Sequence, residues 1–242
     1  MSISKGCIKL ENQLIAALPT SEYQRLIPHL ERVTLPLQQV LYEECEPITH
    51  VYFPLQGIVS LVSTMEDGGT VEVGMVGNEG IVGMPVLWGG ISTITRAFVQ
   101  IPGFGMKIKG SLLKTEFDRG GALQTLLLRY TQALHTQVSQ GAACFRLHTI
   151  EQRLARWLLT VHDRMDRDEF PLTQEFIAQM LGTRRAGVTL AANSLSQAGM
   201  IRYTRGRITI LNRKELEATS CECYKTIQAE FTRLLGNCER SH

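Results

Sequence analysis

The sequence predicts an α+β chain in three parts: an N-terminal cupin-like β-roll, a long dimerisation helix and a C-terminal winged helix-turn-helix. Three observations predict this. From Val33 to about Ile108, short apolar runs are cut by glycine and proline; from Leu123 to Phe145, apolar residues recur at spacings of three and four; and Thr173 to Leu195 has the pattern of two short helices that cross closely. The boundaries that follow are 1–119 for a helical arm and roll, 120–147 for the long helix, 148–214 for the winged domain and 215–242 for a helical tail.

Leu10 to Leu30 has helical spacing in two stretches (Leu14, Ile15, Leu18, then Tyr23, Leu26, Ile27, Leu30), broken by Pro19 with Thr20 or Ser21 available as a cap. Ile58 to Met65 and Thr70 to Val76 flank Glu66-Asp67-Gly68-Gly69, a hairpin pattern. Many short strands in this region imply a small barrel or roll.

In the long helix, Leu123, Leu127, Tyr130, Leu134, Val138, Gly141 and Phe145 form an apolar seam without an interrupting proline. Such a seam suits either a helix packed on its own roll or a helix at a homodimer interface. A second stripe, Leu126 and Ala133, leaves more than one face to cover and favours the interface, with Leu123, Leu127, Tyr130, Leu134, Val138 and Phe145 in it. Thr149 with Gln152 is a capping-box pattern that opens a helix from Ile150 to Met165, with Leu154, Trp157, Leu158 and Val161 on one side. The charged run Asp163 to Glu169 reads as a solvated loop.

Within Thr173 to Leu195, Thr173 caps a first helix with Ile177 and Leu181 inward. Ala178 is small enough for a close crossing, Gly182 suits a left-handed turn, and Thr183 caps a second helix with Val188, Ala191 and Leu195 inward. The head of such a second helix enters the DNA major groove. Arg184, Arg185, Gly187, Thr189 and Asn193 are its candidate contacts, and arginine can bond guanine O6 and N7 bidentately. The spacing does not divide base reading from phosphate contact between the two arginines. Thr173 and Gln174 are placed for phosphate, and Arg205 and Arg207 lie in a tight turn between two short strands, a wing.

Composition agrees. With 242 residues, 44% hydrophobic and 20% charged, the chain is neither disordered nor fibrous in character. No apolar stretch approaches a membrane span and no signal core is evident, so a cytoplasmic protein with no membrane partner is expected. Leu172 to Arg213 holds six arginines against one acid, Glu175, a net of +5 that leaves −3 for the rest of a chain whose total is +2. One end is therefore suited to a polyanion, double-stranded DNA. Six scattered cysteines do not make a disulfide framework. Cys221-Glu-Cys223 with Cys238 has the residue types of a redox or metal element, but Cys-x-Cys in a terminal helix reads as incidental, and no metal or cofactor is predicted. An enzyme or carrier on a cupin-like roll is the alternative. The roll has only His50 where a cupin metal site needs several histidines, and Ser60 and Ser63 have no base beside them, so no catalytic residue is predicted.

These motifs resemble the cyclic-AMP receptor protein and Fnr family over roughly residues 20 to 215, most specifically in Leu172 to Thr183 and Arg205-Gly-Arg-Ile-Thr-Ile-Leu211. The resemblance implies a cyclic-nucleotide-binding-like sensor roll, a dimer helix, transcription regulation and RNA polymerase as a further candidate partner. Arg185 and Val188 match the family's Ser/Thr-Arg-Glu-x-Val core, but Ala186 replaces its glutamate and Leu190 a later arginine, so the match does not extend to the usual half-site. In the sensor, Gly83 matches the nucleotide-binding glycine, Met84 replaces the glutamate that holds the ribose, and Arg96-Ala97 replaces Arg-Ser at a longer spacing. Methionine is a poor hydrogen-bond acceptor, so a cyclic nucleotide is not the expected effector; Arg96 would suit another anion. Fnr-type iron–sulfur sensing needs clustered cysteines, and Cys7 stands alone. Haem sensing would draw on His50, His135 or His148. A roll that is only a scaffold, with constitutive DNA binding, fits the sequence equally.

Overall fold

A computed structural model of the chain describes residues 12–165 and 167–236, so Cys7, Leu10 and Cys238 lie outside the described residues. The arm comprises α1 (Gln13–Ala16) and α2 (Thr20–Leu26). Asn12 caps α1, accepting from the Leu14 and Ile15 amides while its own amide donates to the Pro54 and Gly80 carbonyls. Pro19 occupies the N-cap of α2, so Thr20, expected as a cap, is instead its first residue and Ser21 its second.

The roll is one antiparallel sheet of β1 (Glu31–Leu35), β2 (Val40–Tyr42), β3 (His50–Thr64), β4 (Thr70–Val76) and β5 (Arg96–Lys109), in the order β1-β5-β3-β4 with β2 also on β5. The β3–β4 hairpin turns at the expected place. Three of the five strands are short as expected, but β3 and β5 are long, because their glycines and prolines mark bulges rather than ends. Register slips between Pro54 and Val59, and a Cβ on Gly103 would lie 2.1 Å from the Gln56 carbonyl, so here two backbones touch.

After α3 (Gly110–Asp118), α4 (Ala122–Leu147) closes the roll. The Glu22 carboxylate accepts from the Ala122 and Leu123 amides and so caps α4 from the arm. Leu123, Leu127, Tyr130 and Leu134 are buried among Leu14, Val51, Phe53, Met84, Leu113 and Phe117 of the same chain. Phe145 packs under the Arg153 guanidinium. These positions are therefore covered within the protomer, which corrects their assignment to a dimer interface; Val138 alone of the six is exposed. The seam is apolar because it seals the roll. The next face is covered by the terminal helix α9 (Cys223–Leu235), whose Phe231 meets Tyr130 edge-on. What stays open is a stripe of Thr125, Leu128, Gln132, His135, Ser139 and Ala142.

The remaining elements are α5 (Ile150–His162), β6 (Glu169–Pro171), α6 (Gln174–Met180), α7 (Arg185–Gln197), β7 (Ile201–Thr204), β8 (Arg207–Ile210) and α8 (Arg213–Thr219), with the strands in the order β6-β8-β7. The Thr149–Gln152 capping box is present. Leu154, Leu158, Ile177, Leu181, Val188, Leu195 and Ile208 share one core that continues into Ile58, Val62 and Met75 of the roll. Polar contacts cross the same boundary: Trp157 donates to Glu72 at 2.8 Å, and Arg164 pairs with Glu79 at 2.8 Å. The run after α5 is thus more than a solvated loop, since Arg164 is 9% exposed and Asp163 accepts from Arg213 and Tyr224. Among the described residues no helix is long and apolar enough to cross a membrane.

Candidate nucleic-acid interface

The Thr173 hydroxyl accepts from the Phe176 amide and starts α6, whose Ile177 and Ala178 face inward. Gly182 turns the chain at φ +55°, and the Thr183 amide donates to the Ala178 carbonyl at 2.9 Å, closing the bend. The N-cap of α7 is Arg184 rather than Thr183, and no side chain caps this helix. Its first amides and the positive end of its dipole are therefore available to an anion. Arg184, Arg185, Ala186, Leu190 and Asn193 are exposed along it. Among the described residues, Arg184 and Arg185 at the head of α7 and Arg202 and Arg205 in the wing hairpin make no ion pair, so the winged unit exposes four cations without an internal counter-charge.

Other expected contacts are engaged inside the protein. A Cβ on Gly187 would lie 2.7 Å from Ile150 Cδ1, so this residue faces the start of α5 and its role is close packing, a correction to its placement at the bases. The Thr189 hydroxyl donates to Gln174 Oε1 at 2.7 Å and lies 3.0 Å from the Arg185 carbonyl, so Thr189 and Gln174 fasten α7 to α6. The Gln174 amide donates to the Tyr203 hydroxyl, and Gly206 of the wing lies against Thr173. Arg207 pairs with Glu169 at 2.7 Å, whereas Arg205, at φ +49°, stands exposed at the wing's tip. Leu190, 72% exposed on the outward face of α7, was legible only as a missing arginine.

The four sensor positions do not present a common polar surface. Met84 is buried in the core beneath α4, and Ala97 packs in a different cluster with Tyr42 and Val82. Gly83 turns at φ +105° against the His50 carbonyl, and Arg96 pairs with Glu43 at 3.1 Å. Cys221 and Cys223, read as incidental, converge with Cys144: the three form a small buried cluster beside His148. Residues 77 apart in sequence meet there, which no local pattern announces.

Two family models match the chain: one described as a cyclic nucleotide-binding domain over residues 32–99 and one described as a Crp-like helix-turn-helix domain over residues 152–219. No curated protein matches it. Among solved structures, a putative Crp/Fnr-family regulator from Eubacterium rectale is similar at TM-score 0.69 and 17% identity, covering 86% of this chain and 99% of that one. FixK2 from Bradyrhizobium japonicum is similar at TM-score 0.69 and 19% identity, covering 79% and 98%. The c-di-GMP responsive regulator CLP from Xanthomonas campestris is similar at TM-score 0.62 and 14% identity, covering 79% and 99%. The structures speak for the fold and the two matched domains for the lineage: a cyclic-nucleotide-type roll followed by a Crp-like helix-turn-helix places this DNA-binding chain in the Crp/Fnr family of transcriptional regulators.

Proposed function

We propose that the protein acts as a homodimer on a palindromic site, reading bases with Arg184, Arg185, Leu190 and Asn193 and holding phosphate with the head of α7, Thr173 and Arg205. The observation that carries this reading is the row of exposed arginines without an internal partner at an uncapped helix N-terminus. Leu190 replaces ionic readout with an apolar contact, for which the thymine methyl is the matching group. Dimerisation through the open α4 stripe would set two α7 helices about one helical turn of DNA apart, roughly 34 Å. The protein works in the cytoplasm as a regulator without catalytic activity, and RNA polymerase is the further partner at a promoter.

The roll is not a cyclic-nucleotide sensor in this reading, because Met84 is turned into the core and the Arg96 guanidinium is engaged by Glu43. In vitro selection of bound DNA from a random pool tests the reading. It should enrich a two-fold symmetric site with thymine in each half; an asymmetric site, or no enrichment, overturns it.

A further inference from the structure

Four side chains meet where the end of α4 touches the start of α9. Cys144 and His148 are one helical turn apart at the C-terminal end of α4, and Cys221 and Cys223 flank Glu222, the N-cap of α9. Their three sulfurs and one ring nitrogen all lie within 4.8 Å of one another. Cys144 Sγ is 3.5 Å from Cys221 Sγ, and Cys223 Sγ is 3.6 Å from His148 Nδ1. Zinc bonds of about 2.3 Å to sulfur and 2.0–2.1 Å to nitrogen at tetrahedral angles set sulfur–sulfur edges of about 3.8 Å and sulfur–nitrogen edges of about 3.5 Å. The observed sulfur–sulfur distance of 3.5 Å is about 0.3 Å shorter than that edge, and the sulfur–nitrogen distance of 3.6 Å is within about 0.1 Å of it. We propose that Cys144, His148, Cys221 and Cys223 form a structural Zn²⁺ site.

The surroundings are those of a ligand set. The other ring nitrogen of His148, Nε2, lies 3.2 Å from a Glu222 carboxylate oxygen, the carboxylate–histidine arrangement that leaves Nδ1 free to bind metal. Gln140 Nε2 donates to Cys223 Sγ at 3.2 Å, stabilising a thiolate. The positive end of α9 points at Cys221 and Cys223, and the buried Arg156 lies beside Cys144, so the net charge of three thiolates on one zinc ion is offset. A disulfide between Cys144 and Cys221 would use two of the four groups and give no account of why Cys223 and His148 converge on the same point. Cys144, Cys221 and Cys223 are at most 2% exposed, which suits a closed structural site rather than a catalytic one with an open position. The ion would join the hinge after α4 to the helix that covers α4.

The full-length protein, purified under reducing conditions from zinc-supplemented cells, should carry about one zinc ion per chain by elemental analysis. His148→Ala should lower this at least tenfold, and His148→Cys, which restores a fourth ligand, should recover it. A fold defect would not be repaired that way. Replacing the ion with Co²⁺ should give the intense visible bands of a tetrahedral thiolate site. Zinc below roughly a tenth per chain together with no cobalt bands, iron with labile sulfide in its place, or a Cys144–Cys221 disulfide in the freshly reduced and metal-supplied protein would each overturn the proposal.

Discussion

At the scale of single residues, two side chains carry consequences that their type alone does not suggest. A Cβ on Gly80 would lie 2.3 Å from the hydroxyl of Tyr130, a ring fully buried between the roll and α4 that has nowhere to move. Gly80→Ala should therefore cost about 1–3 kcal/mol in chemical denaturation, as overpacked cores do, although the substitution is ordinarily mild. Leu190 has the opposite character, a large apolar side chain in water. Leu190→Ala should leave thermal stability unchanged and weaken specific DNA binding by on the order of 1 kcal/mol, roughly fivefold, without altering non-specific binding. A drop in melting temperature would show that it packs on the protein instead.

At the scale of elements, the structure divides the arginines by their partners. Arg185→Ala should relax preference at one base pair at a cost of about 1–3 kcal/mol, while Arg205→Ala should weaken all sequences alike and flatten the salt dependence by about one ion. Arg207, held by Glu169, should change binding less than Arg205 in the same titration. What the sequence made legible was local: the hairpin, the capping box at Thr149, and the Ala178–Gly182–Val188 spacing each concern residues close in the chain. What it hid was the choice of partner. The α4 seam shows that a helix must cover something, yet an apolar face carries no mark of whether roll, tail or second chain will cover it. In the same way, glycine in β3 and β5 reads as an end when it is a bulge, because both need the same backbone freedom. Phe231→Ala should cost roughly 1–2 kcal/mol, less than a fully buried ring, and leave the α7 contacts intact.

At the scale of the whole molecule, sensor and DNA-binding units share a core, and one carboxylate sits in it. Burial pushes Glu72 up to about 7 from its ordinary 4.5, against the hydrogen bonds of Ser60 and Trp157 and the charges of Arg156 and Arg164. Folding thus favours its protonated form. Its contribution is fully present below about pH 4.5, falls as pH rises towards about 7 while the unfolded chain alone is ionised, and is then level, a loss of about 3 kcal/mol in all. Urea denaturation across this range should show that decline in the wild type relative to Glu72→Gln; parallel curves would place the proton elsewhere. The packing of α9 on α4 also bears on how the protein is made. The ribosome delivers the roll, α4 and the winged unit before α9, so a nascent chain carries a bare greasy stripe on α4 until α9 has emerged. A chain cut between the winged unit and α9, with both family domains complete, should be a sticky substrate for chaperones and proteases rather than a working regulator.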